Sequence, residues 1–129
     1  MMGERGSGAI LRPDRQINFW KSMPLRESEK TALMELKKIL EEDYGLLDFR
    51  IFGSKARGED SPESDIDLMV ELSKVSPKIE SEIDKIIFSI NLSYDCFISA
   101  VIFSKIELEE GPMDQSPLYR VIEREGIRI

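Results

Sequence analysis

The sequence predicts an α/β (α+β) fold, a small mixed β-sheet packed with helices, on three observations. Segments of helical and strand periodicity take turns along the chain. The strand segments are short and bounded by Gly, Pro and Ser. The 129 residues suffice for one core and leave no room for two.

The elements follow in order. Residues 1–23 are read as an N-terminal arm, flexible or partner-binding, because Met1 to Gly8 are rich in Gly and Ser and no period is sustained through Trp20. Residues 24–129 form the domain. From Leu25 to Tyr44, Leu33, Leu36 and Leu40 recur at helical steps with Ala32 and Ile39 beside them, and Gly45 is placed to stop the helix. Leu47, Phe49 and Ile51 then alternate with Asp48 and Arg50, the pattern of a strand with one buried face. After a Ser-, Pro- and acid-rich loop, Asp65 to Leu72 reads as a second, deeply buried strand. Pro77 opens a helix whose Ile79, Ile83, Ile86, Ile87 and Ile90 make one stripe. A third strand is expected from Tyr94 to about Phe103, then an acidic turn around Glu109, Gly111 and Pro112. A short helix over Pro117 to Glu125 and a small edge strand over Ile127 to Ile129 complete the chain.

Composition narrows the chemistry. Hydrophobic residues at 41% and charged residues at 33% describe a globular protein with a heavily charged surface. A net charge of −7 without a basic run argues against a dedicated nucleic-acid binder. Cys96 is the only cysteine, so no intrachain disulfide can form. Histidine is absent, which removes the commonest general base, the usual zinc ligands and every mechanism built on a Ser–His or Cys–His pair. No apolar stretch is long enough to cross a bilayer, so no membrane role and a cytoplasmic location are expected.

Three features carry chemistry. Gly53 and Ser54 end a strand, where glycine lets a phosphate approach the backbone and the Ser hydroxyl adds a hydrogen-bonding group, although Gly-Ser alone is ordinarily only a turn. Asp65 and Asp67 lie two apart on a strand and therefore share a face, about 7 Å apart, where a hard divalent cation would relieve their repulsion. Alone, such a pair is more often a solvated strand start with two surface acids. Asp95, at the start of the third strand, could reach the same cluster if that strand lies beside the second. Two metals bound there would brace an in-line phosphoryl displacement, with Asp95 able to accept the proton of the attacking hydroxyl.

Together these residues resemble the nucleotidyltransferase superfamily that includes DNA polymerase β, the kanamycin nucleotidyltransferases and the standalone minimal nucleotidyltransferases. Its hallmark is Gly-Ser after a strand, two aspartates separated by one residue on the next strand, and a third aspartate on a later strand. Gly53, Ser54, Asp65, Asp67 and Asp95 match, and Ala56, Arg57 and Gly58 with Ser64 to Leu68 look like the minimal, prokaryotic branch. The resemblance covers about residues 25–129.

It implies a polymerase β palm-like core that transfers a nucleoside monophosphate, AMP from ATP or another nucleoside triphosphate, and releases pyrophosphate. Gly53 and Ser54 would hold the triphosphate, with Lys55 and Arg57 as candidates to neutralise it. Asp65, Asp67 and Asp95 would be the catalytic residues and the ligands of two Mg²⁺ ions, with Mn²⁺ as an alternative. It also implies a small helical partner of the HEPN type in a toxin–antitoxin pair, with a tyrosine of the toxin as acceptor. Homo-oligomerisation is left open. The rival reading is a non-catalytic nucleotide- or partner-binding module that neutralises a toxin by complex formation. A calcium loop over Asp60 to Asp67 fails, because it lacks the turn glycine and the closing bidentate Glu.

Overall fold

The computed structural model describes residues 23–59 and 65–129. The elements run α1 (Glu27–Asp43), β1 (Leu46–Phe52), α2 (Gly53–Arg57), β2 (Ile66–Leu72), α3 (Pro77–Tyr94), β3 (Ile98–Ser104) and α4 (Lys105–Glu110). A 3₁₀ turn (Met113–Gln115), α5 (Pro117–Glu125) and β4 (Ile127–Arg128) follow. The sheet order is β3-β2-β1-β4, with β1 antiparallel to both β2 and β4, and β2 parallel to β3. The parallel pair needs a long crossover, which α3 supplies.

Strand alternation divides the molecule into two packed faces. Phe49 and Ile51 of β1, Ile66, Leu68 and Val70 of β2 and Ile98 of β3 point into the main core. They meet Ala32, Leu33, Leu36 and Leu40 of α1 and Ile83, Ile87 and Ile90 of α3. On the opposite face Phe52, Met69 and Phe103 pack with Ile122 of α5, beside Tyr119 and Leu108. Met23, expected to close the N-terminal arm, is itself buried in the main core, while the rest of that arm lies outside the described residues.

Four expectations are corrected. Strand β1 has two buried faces instead of one: Asp48 and Arg50 are 9% and 7% exposed, and each neutralises the other across a 2.7 Å contact. A register shift between Leu46 and Asp48 leaves Leu47 exposed, out of step with Phe49 and Ile51. The third strand begins at Ile98, not Tyr94, because α3 continues through Tyr94 and ends on Asp95 in the left-handed conformation. The acidic turn near Glu109 is the short helix α4, closed at its start by reciprocal bonds between Ser104 and Glu107.

Candidate functional site

β1 and β2 pair so that Phe52 at the end of one faces Asp67 at the start of the other. The chain leaves β1 through Gly53 at φ +74° and turns at once into α2. A side chain at Gly53 would collide with the Asp67 carboxylate, so glycine is required both by the backbone angle and by the space. The sequence thus folds the Gly53-Ser54 turn directly against the second of its paired aspartates.

Asp65 is exposed just before β2, and Asp67 is half-buried within it. Burial pushes the Asp67 carboxyl above the usual aspartate range, the charge of Asp65 pushes it further, and Arg57 pulls in the opposite direction. Two carboxylates that repel each other at a half-buried strand end are a donor set suited to a hard divalent cation.

The two cationic candidates behave differently. Lys55 is 1% exposed, and its ammonium lies 3.9 Å from buried Glu29 and 3.4 Å from the Pro24 carbonyl oxygen, to which it donates. Its ammonium is thus drawn inward towards the buried carboxylate at the start of α1. Arg57 is exposed and bridges Glu59 at 2.9 Å and Glu125 at 2.8 Å, yet its charge is felt by Asp67. A pocket of about 150 Å³ lies behind this turn, lined by Met23, Pro24, Lys55, Ala56, Arg57, Gly58 and Ile127.

Asp95 is not on β3. It caps α3, and its carbonyl accepts from Arg26 Nη2 at 2.9 Å, while neighbouring Tyr94 donates to Glu35 of α1 at 2.6 Å. Asn91 holds the connection here, with its amide bonding both the N–H and the C=O of Ile98. The Asp95 backbone thus lies towards the α1–α3 side of the sheet, where its charge is felt by Cys96 of the main core. Asp67 alternates with the main-core residues Ile66 and Leu68 and so faces the α5 side with Met69. Among the described residues, no group of three or more Asp, Glu, Cys or His side chains is gathered to hold a metal. The neighbour of Asp67 on β3 is Ser99, which the sequence reading missed because it started that strand four residues early. Cys96 is buried beside Asn91, and burial pushes its thiol up, which makes it a poor nucleophile.

A sheet of this order, with a Gly-Ser turn set against an Asp-x-Asp strand, is the frame of a nucleotidyl-transfer domain. The chain belongs to the nucleotidyltransferase domain family, whose sequence profile matches residues 33–129. Two proteins of Methanocaldococcus jannaschii named as candidate protein adenylyltransferases are similar to it. One is 49% identical over 45 residues, 35% of this chain and 45% of that protein. The other is 52% identical over 42 residues, 33% of this chain and 49% of that protein. The matches thus span about half the length of these relatives. The crystal structure of a toxin–antitoxin with AMP-PNP shares the fold, at 18% identity and a TM-score of 0.53, covering 74% of this chain and 70% of that one. No helix among the described residues is long and apolar enough to cross a membrane.

Proposed function

We propose that this protein transfers a nucleoside monophosphate, AMP from ATP, to a hydroxyl group of a partner protein. The single observation that carries the reading is the Asp67 carboxylate packed against Gly53 at the Gly-Ser turn, with Asp65 just before the strand and its charge felt by Asp67. Membership of the nucleotidyltransferase family and similarity to candidate protein adenylyltransferases support it.

In this reading Gly53 and Ser54 receive the triphosphate, glycine by leaving the backbone open and serine through its hydroxyl. Asp65 and Asp67 would hold Mg²⁺, which when bound neutralises the phosphates and polarises the reacting centre. The acceptor oxygen attacks the α-phosphorus, the bond to the β-phosphate bridging oxygen breaks, and pyrophosphate leaves. The acceptor proton passes to a carboxylate of the pair or to solvent. Arg57 moderates the charge at the mouth and Lys55 stabilises the turn from beneath. The partner we favour is a helical toxin modified on a tyrosine, as the sequence resemblance implies, and the likeness of the fold to that of a toxin–antitoxin is in keeping with a toxin partner.

The test uses ATP labelled on the α-phosphate, Mg²⁺ and the protein purified together with its cellular partner. Label appearing on the partner and absent with the Asp65→Asn/Asp67→Asn variant supports the proposal. Tight partner binding without label on any protein would instead favour a non-catalytic module.

A further inference from the structure

The parallel register of β2 and β3 sets Ser99 directly beside Asp67, and the antiparallel register of β1 and β2 sets Phe52 on its other flank. Phe52, Asp67 and Ser99 therefore form one row across three strands, on the face covered further along by Met69 and Phe103. Strands are spaced about 4.8 Å apart, so a side chain at position 99 reaches whatever Asp67 holds. Ser99 is exposed and open to ligand from the same side. Asp95 sits four residues upstream, beyond the end of the strand. Its backbone is held towards the α1–α3 layer by Arg26 on its carbonyl, beside the Tyr94–Glu35 bond, and the charge of its carboxylate is felt by Cys96 of the main core.

We propose that Ser99, rather than Asp95, occupies the third side-chain position of the site, which is therefore built from two carboxylates and a hydroxyl. This rests on the reading of Asp65 and Asp67 as cation ligands. A hydroxyl brings no charge, so the protein alone offers a divalent cation less attraction than three carboxylates would. The missing negative charge comes from the triphosphate, and the cation is recruited together with the nucleotide rather than before it. Ser99 acts as a positioning residue: it keeps the flank of Asp67 polar and open without competing for the cation.

Mn²⁺ titration followed by electron paramagnetic resonance, with the full chain and no nucleotide, tests this. Ser99→Asp is expected to tighten Mn²⁺ binding roughly tenfold or more by adding a carboxylate to the row. Asp95→Asn is expected to leave it within about twofold, the change typical of a charge outside the site. An Asp95→Asn loss as large as that of Asp67→Asn would overturn the proposal, and so would an unchanged Ser99→Asp. Should Ser99→Asp not fold, Ser99→Cys, close in volume, replaces it with Cd²⁺ as the probe, because a thiolate selects soft ions. Cd²⁺ binding gained with Ser99→Cys and not with Asp95→Cys supports the assignment, and the reverse overturns it. Mn²⁺ binding untouched by Asp67→Asn would overturn the underlying reading of the carboxylate pair instead, so the two failures are distinct.

Discussion

The Asp67 carboxylate fills the space that a side chain at Gly53 would need, so the turn after β1 and the start of β2 fit together only with glycine between them. Gly53→Ala would force a Cβ into that carboxylate at a φ of +74°. A loss of about 1–3 kcal/mol is expected from backbone strain at a non-glycine residue in this region. Nucleotide-induced thermal stabilisation should vanish with it. An alanine variant that melts normally and still responds to ATP would remove the turn from the site.

Asp67 also gives a pH signature. Its carboxyl titrates above the usual aspartate value, through burial first and then the charge of Asp65. A native pKa above the unfolded one means that the folded state binds the proton more tightly, so this group's contribution to stability declines as pH rises through the window between the two values. Asp67→Asn should therefore stabilise the fold at neutral pH, by less than about 1 kcal/mol given solvent screening. The difference from wild type should fade at the acid end. Urea melts at several pH values read both the sign and the window.

Asp48 works in the opposite sense. Burial alone would raise its pKa, but hydrogen bonds and charge from Arg50 and then Arg128 outweigh that and hold it below the usual range. Stability from a depressed carboxyl is present above the unfolded pKa and is lost as pH falls through the folded one. Asp48→Asn leaves Arg50 buried with one partner fewer, and a cost of about 3–5 kcal/mol at neutral pH is expected. The variant's melting temperature should then depend less on acidification than that of the wild type.

Lys55 and Glu29 form a buried pair 3.9 Å apart, with side-chain exposures of 0% and 2%. Glu29 also accepts from the Arg26 backbone N–H at 2.8 Å and its guanidinium at 3.3 Å, and Lys55 donates to the Pro24 carbonyl. Each therefore keeps a partner when the other is removed, and Lys55→Met and Glu29→Gln should each cost about 1–3 kcal/mol. The double variant should cost less than their sum, since the second change removes the charge that the first left with one partner fewer. A double-mutant cycle by chemical denaturation measures this. Additive losses would show that the two side chains act apart.

Much of the frame was legible in the sequence. The leucines of α1 and the isoleucines of α3 declared their buried faces by period alone, and the spacing of Gly53, Asp65 and Asp67 pointed to the turn and strand start that the fold sets together. Periodicity could not show where α3 gives way to β3, because Tyr94, Cys96 and Phe97 suit either element. The boundary is set by the Asn91 amide binding Ile98 and by Arg26 reaching the Asp95 carbonyl, contacts that join distant elements. The same limit hid Lys55. A lysine beside a Gly-Ser turn reads as a phosphate ligand until Glu29 is found buried beneath it. Helix α4 did carry a signal, since Ser104 followed by Glu107 is a capping-box spacing.

The short strand β4 has a consequence for how the sheet is protected. Arg128 reaches Asp48 across 80 positions of chain at 2.9 Å, and β4 pairs β1 only at Arg50 and Ile51. Such a short pairing leaves few hydrogen bonds to break, so this latch releases early. Hydrogen exchange should find the β1 amides facing β4 opening before those facing β2, and equal protection would contradict the idea. When the latch slips, β1 becomes an unguarded sheet margin that carries the charged pair of Asp48 and Arg50. Those charges are a poor template for a neighbouring chain, so the ion cluster that completes the native sheet also discourages self-association in its absence.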